Sequence, residues 1–246
     1  MSRKLSFGVI VFPGSNCDDD LVHVLSHVCK AGVEKIWHKN YSLPGGLDGI
    51  FLPGGFSYGD YLRSGAIAKF AHIMPEVQAF AQQGGLVWGI CNGFQILCET
   101  GLLPGALLQN QYQKFICENV YLKTITTNSM VSNHLNAEQV IKIPMAHGDG
   151  RYYADDATLR DLIAHDQIIF KYCDEQGNTT DESNLNGSLQ SIAGICNRGR
   201  NVYGMMPHPE RASESILGNT DGKGMFDSMI YALAKISNLE STPVAV

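Results

Sequence analysis

The most reactive side chain that the sequence singles out is a cysteine between two glycines. Cys91 stands in the stretch Gly89-Ile90-Cys91-Asn92-Gly93, with apolar runs before and after it. Small residues on both sides of a nucleophile are typical of a strained strand-to-helix turn, which lifts the side chain above a sheet. The N-terminus of the following helix would favour the thiolate, the form that attacks substrates. The pattern also fits a small buried cysteine in an ordinary connection.

A histidine and a glutamate later in the chain could complete this chemistry. His208 follows an apolar run and lies between Pro207 and Pro209, and Glu210 comes two residues later. In an extended segment both side chains project to the same side, so the carboxylate could hold the imidazole tautomer as the acid of a triad does. Taken alone, the segment is more typical of a rigid surface turn. Together with Cys91, it favours a Cys-His-Glu triad for acyl transfer.

An acyl-transfer site also needs hydrogen-bond donors for the developing oxyanion. The pair Gly54-Gly55 follows a predicted strand, and a glycine amide can point into a site without a side chain in the way. We therefore predict the amides of Gly55 and Asn92 as the oxyanion hole. A plain Gly-Gly turn is the alternative.

Other reactive side chains are weaker candidates. Cys17 also lies between a strand and a helix, but residues 18–20 are three carboxylates that would raise its pKa, so it would be a poor nucleophile. His23 and His27 have helical spacing without the acidic third ligand of a metal site, and we predict no metal. His147 could belong to a second site or to a contact surface.

Composition excludes several classes of function. The 246 residues are 44% hydrophobic and 17% charged, with a net charge of -6 and no basic run, which argues against a nucleic-acid partner. No apolar stretch approaches 18 residues, so we expect no membrane segment. The seven cysteines are scattered without paired spacing, which indicates reduced thiols and a cytoplasmic protein.

Short apolar runs alternate with helical segments in the first half of the chain. Strands are predicted over 6–12, 34–38, 49–52, 86–90, 118–124, 140–144, 168–172, 192–196 and 202–206, helices over 18–31, 73–83 and 225–237, and a loop over 178–188. This order predicts an α/β fold, in which one domain over residues 1–246 has a flavodoxin-like, mostly parallel sheet with helices on both faces. Functional residues then lie beyond the carboxyl ends of strands.

Five motifs, in order along essentially the whole chain, resemble those of a known family. They are Pro13-Gly14-Ser15-Asn16-Cys17-Asp18, Leu52-Pro53-Gly54-Gly55-Phe56-Ser57-Tyr58-Gly59-Asp60, Gly89-Ile90-Cys91-Asn92-Gly93-Phe94-Gln95, Pro144-Met145-Ala146-His147-Gly148-Asp149-Gly150-Arg151-Tyr152-Tyr153 and Met206-Pro207-His208-Pro209-Glu210-Arg211-Ala212. The chain is similar to glutaminase subunits of phosphoribosylformylglycinamidine synthase, which are class I glutamine amidotransferases of purine biosynthesis.

This resemblance implies roles for individual residues. Cys91 would attack the side-chain amide of glutamine, with His208 and Glu210 completing the triad and Gly55 in the oxyanion hole. Gln95, four residues after the nucleophile, would contact glutamine. In the glutamine pocket the family usually carries Asn-x-Ser, whereas this chain reads Asn110-Gln111-Tyr112, so Asn110 is retained and Tyr112 replaces a small hydroxyl residue. Asp149 replaces a usual Glu, which is a milder change.

The resemblance also implies partners. Released ammonia would pass to a separate synthetase subunit that uses ATP and Mg, often through a complex with a small bridging subunit, so no cofactor is expected in this chain. The segment 147–153 could be the docking surface, with His147 and Arg151 as partner contacts. Alternatively, it is a structural loop whose tyrosines pack inward.

Three rival interpretations remain at this stage. A thiol esterase of the α/β-hydrolase type would carry its acid before its histidine, whereas Glu210 follows His208. A stress-response or chaperone module of related fold usually has His directly after the elbow cysteine, where this chain has Asn92. A catalytically inactive scaffold is the third, and the intact Cys, His and Glu argue against it.

Overall fold

The structure, a computed structural model, describes residues 3–240 and is organised around a nine-stranded sheet beside a two-stranded one. The nine strands of the large sheet are those that the sequence predicts, within a few residues at their ends. The strands are β1 (Ser6–Val11), β2 (Gly32–Trp37), β3 (Gly49–Leu52), β4 (Leu86–Ile90), β5 (Ala106–Leu108), β6 (Ile116–Thr124), β7 (Val140–His147), β8 (Arg151–Tyr153), β9 (Ile168–Cys173), β10 (Ile192–Cys196) and β11 (Val202–Met205).

The strand directions confirm a mostly parallel sheet. The order is β2-β1-β3-β4-β11-β10-β9-β6-β7, and β2, β1, β3, β4 and β11 are mutually parallel. From β11 onward, each strand in this order is antiparallel to the strand before it. As a result, β9 and β7 point the same way as the parallel strands, whereas β10 and β6 point the opposite way.

Helices cover both faces of the sheet. Trp88 of β4 packs against Phe226, with ring centroids 5.2 Å apart, whereas Gly89 lies against Gly93. Consecutive strand residues point to opposite faces, so the helices that carry Phe226 and Gly93 lie on opposite sides. The helices are α1 (Asp18–His23), which continues as a π-helical turn (Val24–Val28), α2 (Met74–Gln82), α3 (Asn92–Glu99), α4 (Asp156–Ala164) and α5 (Lys223–Glu240).

Short elements of the second half were not predicted. Strands β5 and β8 form the small antiparallel sheet, and α4 is capped at its N-terminus by Asp155, whose side chain accepts a hydrogen bond from the Thr158 amide at 2.7 Å. The loop predicted over 178–188 contains neither helix nor strand. The single domain predicted over 1–246 extends beyond the described residues and stays a prediction.

The parallel directions gather four loops at one edge of the sheet. Gly54 follows β3, Cys91 follows β4, His208 follows β11, and His147 ends β7. Because these strands point the same way, the carboxyl edge collects the motifs that the sequence singles out.

Among residues 3–240, no helix has the combination of length and apolar character that crossing a bilayer requires.

Candidate active site

The turn after β4 is a strained elbow with Cys91 at its apex. Cys91 has φ +53° and ψ -110°, a backbone conformation that residues other than glycine rarely adopt. A Cβ atom at Gly93 would run into the carbonyl group of Leu52, and one at Gly89 would lie 2.6 Å from the backbone of Gly93. Close backbone packing therefore requires both glycines, as the sequence pattern predicts.

His208 and Glu210 form a buried pair. Nδ1 of His208 lies 2.6 Å from Oε1 of Glu210, and neither side chain is more than 1% exposed. The predicted contact is present, but the predicted extended backbone is wrong, because residues Pro209–Ala212 form a 3-10 turn that brings the carboxylate back to the ring. The His208 amide donates to the Pro144 carbonyl at 2.8 Å, which fixes the ring's position beside β7.

Cys91 and His208 lie on either side of Gly54. A Cβ atom at Gly54 would be 2.7 Å from Cε1 of His208 and 3.3 Å from Cβ of Cys91, so a side chain there would separate the two. Burial alone would lower the pKa of His208. The charges of Glu210 and Cys91 have a larger, opposite effect, and together they raise the pKa from its ordinary value to about 10. Nε2 of His208 has no hydrogen-bond partner among the described residues. This arrangement suits a histidine that transfers protons for a cysteine nucleophile.

The predicted oxyanion hole lies beside the elbow. Gly55 has φ +139°, and a Cβ atom there would lie 2.7 Å from the Gly14 carbonyl oxygen, so only glycine fits. Neither the Gly55 amide nor the Asn92 amide donates a hydrogen bond to another of the described residues. Both amides are therefore free to donate to a ligand, and their role in catalysis stays a prediction.

Cys91 and His208 open onto a cavity of about 240 Å³. It contains predicted site residues from all the loops at the carboxyl edge. The lining residues are Asn16, Cys17, Gly55, Phe56, Asp60, Ser64, Cys91, Gln95, Phe115, Ala146, His147, Gly148, Asp149, His208 and Arg211.

One wall of the cavity is a network of amides and carboxylates. Nε2 of Gln95 donates to the Asp149 carbonyl at 2.6 Å, and Nδ2 of Asn92 donates to Gln95 at 2.8 Å and to Asp60 at 3.3 Å. The Ser64 hydroxyl donates to the Asp149 carboxylate at 2.9 Å. Burial, together with the charge of Asp149, raises the pKa of Asp60 to about 6. Gln95 is thus placed to contact a ligand, as predicted, although the contact itself stays a prediction.

The structure corrects the assignment of His147 as a partner contact. His147 is 3% exposed and lies in the cavity wall, so it has no surface to offer to another subunit. Burial, and then the charge of His208, lowers its pKa to about 3. The ring is therefore neutral near physiological pH.

Asn110, a predicted glutamine contact, is not among the residues that line the cavity. It is 1% exposed, and its side chain bonds the carbonyls of His147 and Lys114, at 2.8 and 2.9 Å, and the amide of Gly150, at 3.0 Å. Direct contact with glutamine stays a prediction, and the contacts present make Asn110 a brace for the turn after β7.

Tyr112, which replaces the usual small hydroxyl residue, is 71% exposed and also lies outside the cavity lining. Phe115 instead reaches the cavity, where its ring stacks with Phe56 at a centroid distance of 6.4 Å. Tyr112 therefore does not contribute to the cavity wall in this structure.

The tyrosines of β8 point in opposite directions. Tyr152 is 1% exposed, and its hydroxyl donates to the Pro104 carbonyl at 2.9 Å, whereas Tyr153 is 54% exposed. Arg151 is half-buried and shares the face of Tyr153, since alternate strand residues point the same way. Tyr152 thus packs inward, as expected if segment 147–153 were a structural loop, whereas Tyr153 does not. The role of Arg151 as a partner contact stays a prediction.

The second thiol in the cavity wall belongs to Cys17. Its pKa is raised to about 12, chiefly by burial, while Arg211 opposes the shift and Asp20 contributes a smaller increase. Burial is therefore the main reason that Cys17 is expected to be a weak nucleophile, and of the three carboxylates only Asp20 contributes. The stacked rings of His23 and His27 lie outside the cavity lining.

Sequence reasoning gave no role to Asp60, Ser64 or Ala146. Asp60 ends the Gly-Gly-Phe-Ser-Tyr-Gly-Asp motif, and its position as a polar residue at the end of a glycine-rich loop could have indicated that it lies in the site. The sequence around Ser64 and Ala146 offers no comparable indication. No group of three His, Cys, Asp or Glu side chains in residues 3–240 is arranged to hold a metal ion.

The chain is similar in sequence to known proteins. Residues 4–229 match the model of the CobB/CobQ-like glutamine amidotransferase domain. The chain is 54% identical over 231 residues to the phosphoribosylformylglycinamidine synthase subunit PurQ of Koribacter versatilis (strain Ellin345), covering 94% of this chain and 100% of that protein. It is 54% identical over 226 residues to the same subunit of Moorella thermoacetica, covering 92% of this chain and 95% of that protein.

A solved structure is also similar. A chain in the structure of PurLQS from Thermotoga maritima superposes with a TM-score of 0.83 at 41% identity, covering 94% of this chain and 100% of that one. The expected fold and family resemblance are confirmed by these matches.

Proposed function

The chain belongs to the family of phosphoribosylformylglycinamidine synthase PurQ subunits, and we propose that its cavity hydrolyses glutamine through Cys91, His208 and Glu210. It is a glutaminase subunit of a purine-biosynthesis enzyme. The observation that carries the proposed chemistry is the convergence of the strained Cys91 elbow with the buried His208–Glu210 pair across Gly54.

The first half of the reaction forms a thioester. The Cys91 sulfur attacks the carboxamide carbon of glutamine, and the amides of Gly55 and Asn92 donate to the oxyanion that develops. His208 gives its Nε2 proton to the departing nitrogen, which leaves as ammonia. The raised pKa of His208 supports this role, because it keeps the imidazole protonated near neutral pH.

The second half releases glutamate. His208, now neutral, takes a proton from water as that water attacks the thioester carbon, and Cys91 leaves as a thiolate. Glu210 accepts a hydrogen bond from Nδ1 of His208 throughout, which holds the tautomer and stabilises the imidazolium.

In the proposed complex, a synthetase subunit uses the ammonia. The similar Thermotoga maritima structure is that of PurLQS, in which PurQ is assembled with PurL and PurS, and we propose that this chain works with a synthetase subunit and a small bridging subunit in the same way. ATP and Mg would act in the synthetase, and this chain would need no cofactor of its own. We propose a cytoplasmic location, which the seven free cysteines support.

The test is a reconstituted assay. The chain, the synthetase and the small subunit are combined with formylglycinamide ribonucleotide, ATP and Mg, and glutamate and amidine are measured. With glutamine as the nitrogen source, we expect one molecule of glutamate for each molecule of amidine formed. With ammonium in place of glutamine, we expect amidine to form without glutamate. Glutamine-dependent synthesis that produces no glutamate would contradict the proposal.

A further inference from the structure

Two free cysteine side chains lie close together beside Gly54. Cys17 precedes α1 and Cys91 precedes α3, and both line the cavity. A Cβ atom at Gly54 would lie 3.0 Å from Sγ of Cys17 and 3.3 Å from Cβ of Cys91. Because both distances start from the same point, the Cys17 sulfur is within roughly 6 Å of Cβ of Cys91. Glycine at position 54 leaves the space beside both side chains open.

The remaining gap is within reach of one side-chain rotation. In a disulfide, each sulfur lies about 3 Å from the Cβ atom of the other cysteine. Rotation of a cysteine side chain from one staggered rotamer to another moves its sulfur by about 3 Å. The backbone is held at both residues, because the Cys17 amide donates to the Gly54 carbonyl at 3.4 Å and the Cys91 amide donates to the Met205 carbonyl at 2.8 Å. We therefore expect a bridge to need movement of the sulfurs and little movement of the backbone.

The surroundings of Cys17 suit a thiol that attacks a second sulfur. Its sulfur accepts a hydrogen bond from Nη2 of Arg211 at 2.9 Å, and its S–H donates to Oδ1 of Asn16 at 3.2 Å. Burial raises the pKa of the Cys17 thiol to about 12, whereas the charge of Arg211 lowers it. The thiol thus stays protonated near neutral pH, but the guanidinium stabilises the thiolate that develops during an attack. The proposed hydrolysis of glutamine uses neither side chain.

We propose that Cys17 is the resolving cysteine of a reversible disulfide with Cys91, which forms after a hydroperoxide oxidises the nucleophile. The effect of this disulfide on activity rests on the proposed glutaminase role of Cys91. A small hydroperoxide can reach Cys91, because that residue lines the cavity. The disulfide would block the sulfur that attacks glutamine until a dithiol reduces it. It would also protect Cys91 from irreversible oxidation to a sulfinic acid.

The reaction has two steps, written here for hydrogen peroxide. In the first, the Cys91 thiolate attacks a peroxide oxygen: an S–O bond forms, the O–O bond breaks, and the departing hydroxide takes the proton of the His208 imidazolium to leave as water. The sulfur is oxidised to a sulfenic acid and the peroxide is reduced. In the second, the Cys17 sulfur attacks the Cys91 sulfur: an S–S bond forms, the S–O bond breaks, and the departing hydroxide leaves as water with the proton of the Cys17 thiol. Two thiols and one peroxide thus give one disulfide and two waters.

The first experiment detects the bond itself. The full chain is treated with hydrogen peroxide, the peroxide is removed with catalase, and free thiols are alkylated before peptide mass spectrometry. We expect a pair of peptides linked through Cys17 and Cys91 that disappears after reduction with dithiothreitol. This measurement does not depend on activity, so it tests the disulfide even if the proposed function is wrong. Recovery of Cys91 only as a free thiol or as a sulfinic acid would overturn the proposal.

The second experiment measures the recovery of glutaminase activity. The chain is treated with peroxide for a prolonged period and combined with the synthetase and the small subunit only after catalase, so the partners never meet the oxidant. Each activity is expressed relative to the same protein before treatment. We expect the unaltered chain to lose activity at least about tenfold and to regain most of it with dithiothreitol. Cys17→Ser should also lose activity but regain less than about a tenth, because its Cys91 continues to the sulfinic acid.

Controls separate this role from general oxidation. Cys117→Ser removes an exposed thiol of β6, outside the cavity lining, and should recover as the unaltered chain does. Cys17→Ala is the second variant if Cys17→Ser folds poorly. Recovery of a Cys17 variant to the level of the unaltered chain would overturn the proposal. Absence of glutaminase activity before treatment would instead contradict the proposed function, and the linked peptides would still decide whether the disulfide forms.

Discussion

Oδ1 of Asn110 lies 3.1 Å from Nδ1 of His147 and fixes the protonation of that ring. The Asn110 amide nitrogen donates to two carbonyls, so the oxygen must face the imidazole and Nδ1 must carry the proton. The Gly150 amide donates to the same oxygen at 3.0 Å. Asn110 thus orders the turn that presents Asp149 to the cavity.

Asn110→Ala should destabilise the isolated chain. It removes three hydrogen bonds, of which those to the His147 carbonyl and the Gly150 amide are buried, and a buried polar group left without a partner costs about 1–3 kcal/mol. We expect a melting temperature lower by roughly 5–15 °C in a thermal scan. Asn219→Ala is the matched control, because Asn219 bonds the Lys142 carbonyl at an exposed site, and its shift should be much smaller. Equal shifts would show that the brace is not required.

Cys91→Ala should abolish glutamine-dependent synthesis and leave ammonia-dependent synthesis intact, because only the nitrogen source is lost. We expect a fall of more than roughly 10⁴-fold in glutamate production by the complete complex. Cys17→Ala is the control: its thiol lies in the same cavity but its pKa of about 12 keeps it protonated, so activity should persist. Glutaminase activity without Cys91 would rule out the proposed nucleophile.

Glu210→Gln should lower kcat by about 10- to 10⁴-fold while preserving the fold. The carboxylate accepts from Nδ1 of His208 at 2.6 Å, whereas an amide could present a donor and favour the wrong tautomer. The loss should be milder than that of His208→Ala, since the imidazole itself remains. Steady-state kinetics with saturating synthetase would measure kcat for both variants. Full activity of Glu210→Gln would show that Glu210 has no catalytic role and only stabilises the turn.

The same substitution should have a pH-dependent effect on stability. The folded pKa of His208, about 10, is above the unfolded value near 6.5, so its interactions stabilise the protein fully below 6.5 and are lost as the pH rises through about 10. The difference in free energy of unfolding between the unaltered protein and Glu210→Gln should therefore be largest near pH 6 and shrink toward pH 10. Denaturant titrations at several pH values measure it. A constant difference would mean that His208 is not the linked group.

The sequence predicted the strands and the contact of His208 with Glu210 well, because both depend on local signals. Continuous apolar runs define buried parallel strands, and glycines on both sides of Cys91 reflect backbone packing that tolerates no other residue. His208 and Glu210 are separated by one residue, so their contact could be predicted from the local sequence, although the backbone between them is a 3-10 turn and not the extended segment predicted.

What the sequence could not predict depends on distant partners. His147 and Asn110 are 37 residues apart, and their contact follows from the pairing of β6 with β7, which places His147 opposite Ile116. The burial of Tyr152 likewise depends on the pairing of β8 with β5. No periodicity within segment 147–153 could show which of its side chains point inward.

Arg151→Ala should weaken assembly with the synthetase subunit. Arg151 and the exposed Tyr153 share one face of β8, opposite the partly exposed Leu108, and arginine and tyrosine are favoured at interfaces. We expect about a tenfold loss of affinity in gel filtration or calorimetry and lower partner-stimulated glutaminase activity. The melting temperature of the isolated variant should lie within about 2 °C of that of the unaltered chain.

Arg198→Ala is the control. It removes an equally charged but more exposed side chain, which pairs with Asp161, and the variant should assemble normally. Because His147 and Tyr152 are buried, substituting them would disturb the fold before it disturbed an interface. Normal assembly and stimulation of Arg151→Ala would therefore exclude this face of β8 as the docking surface.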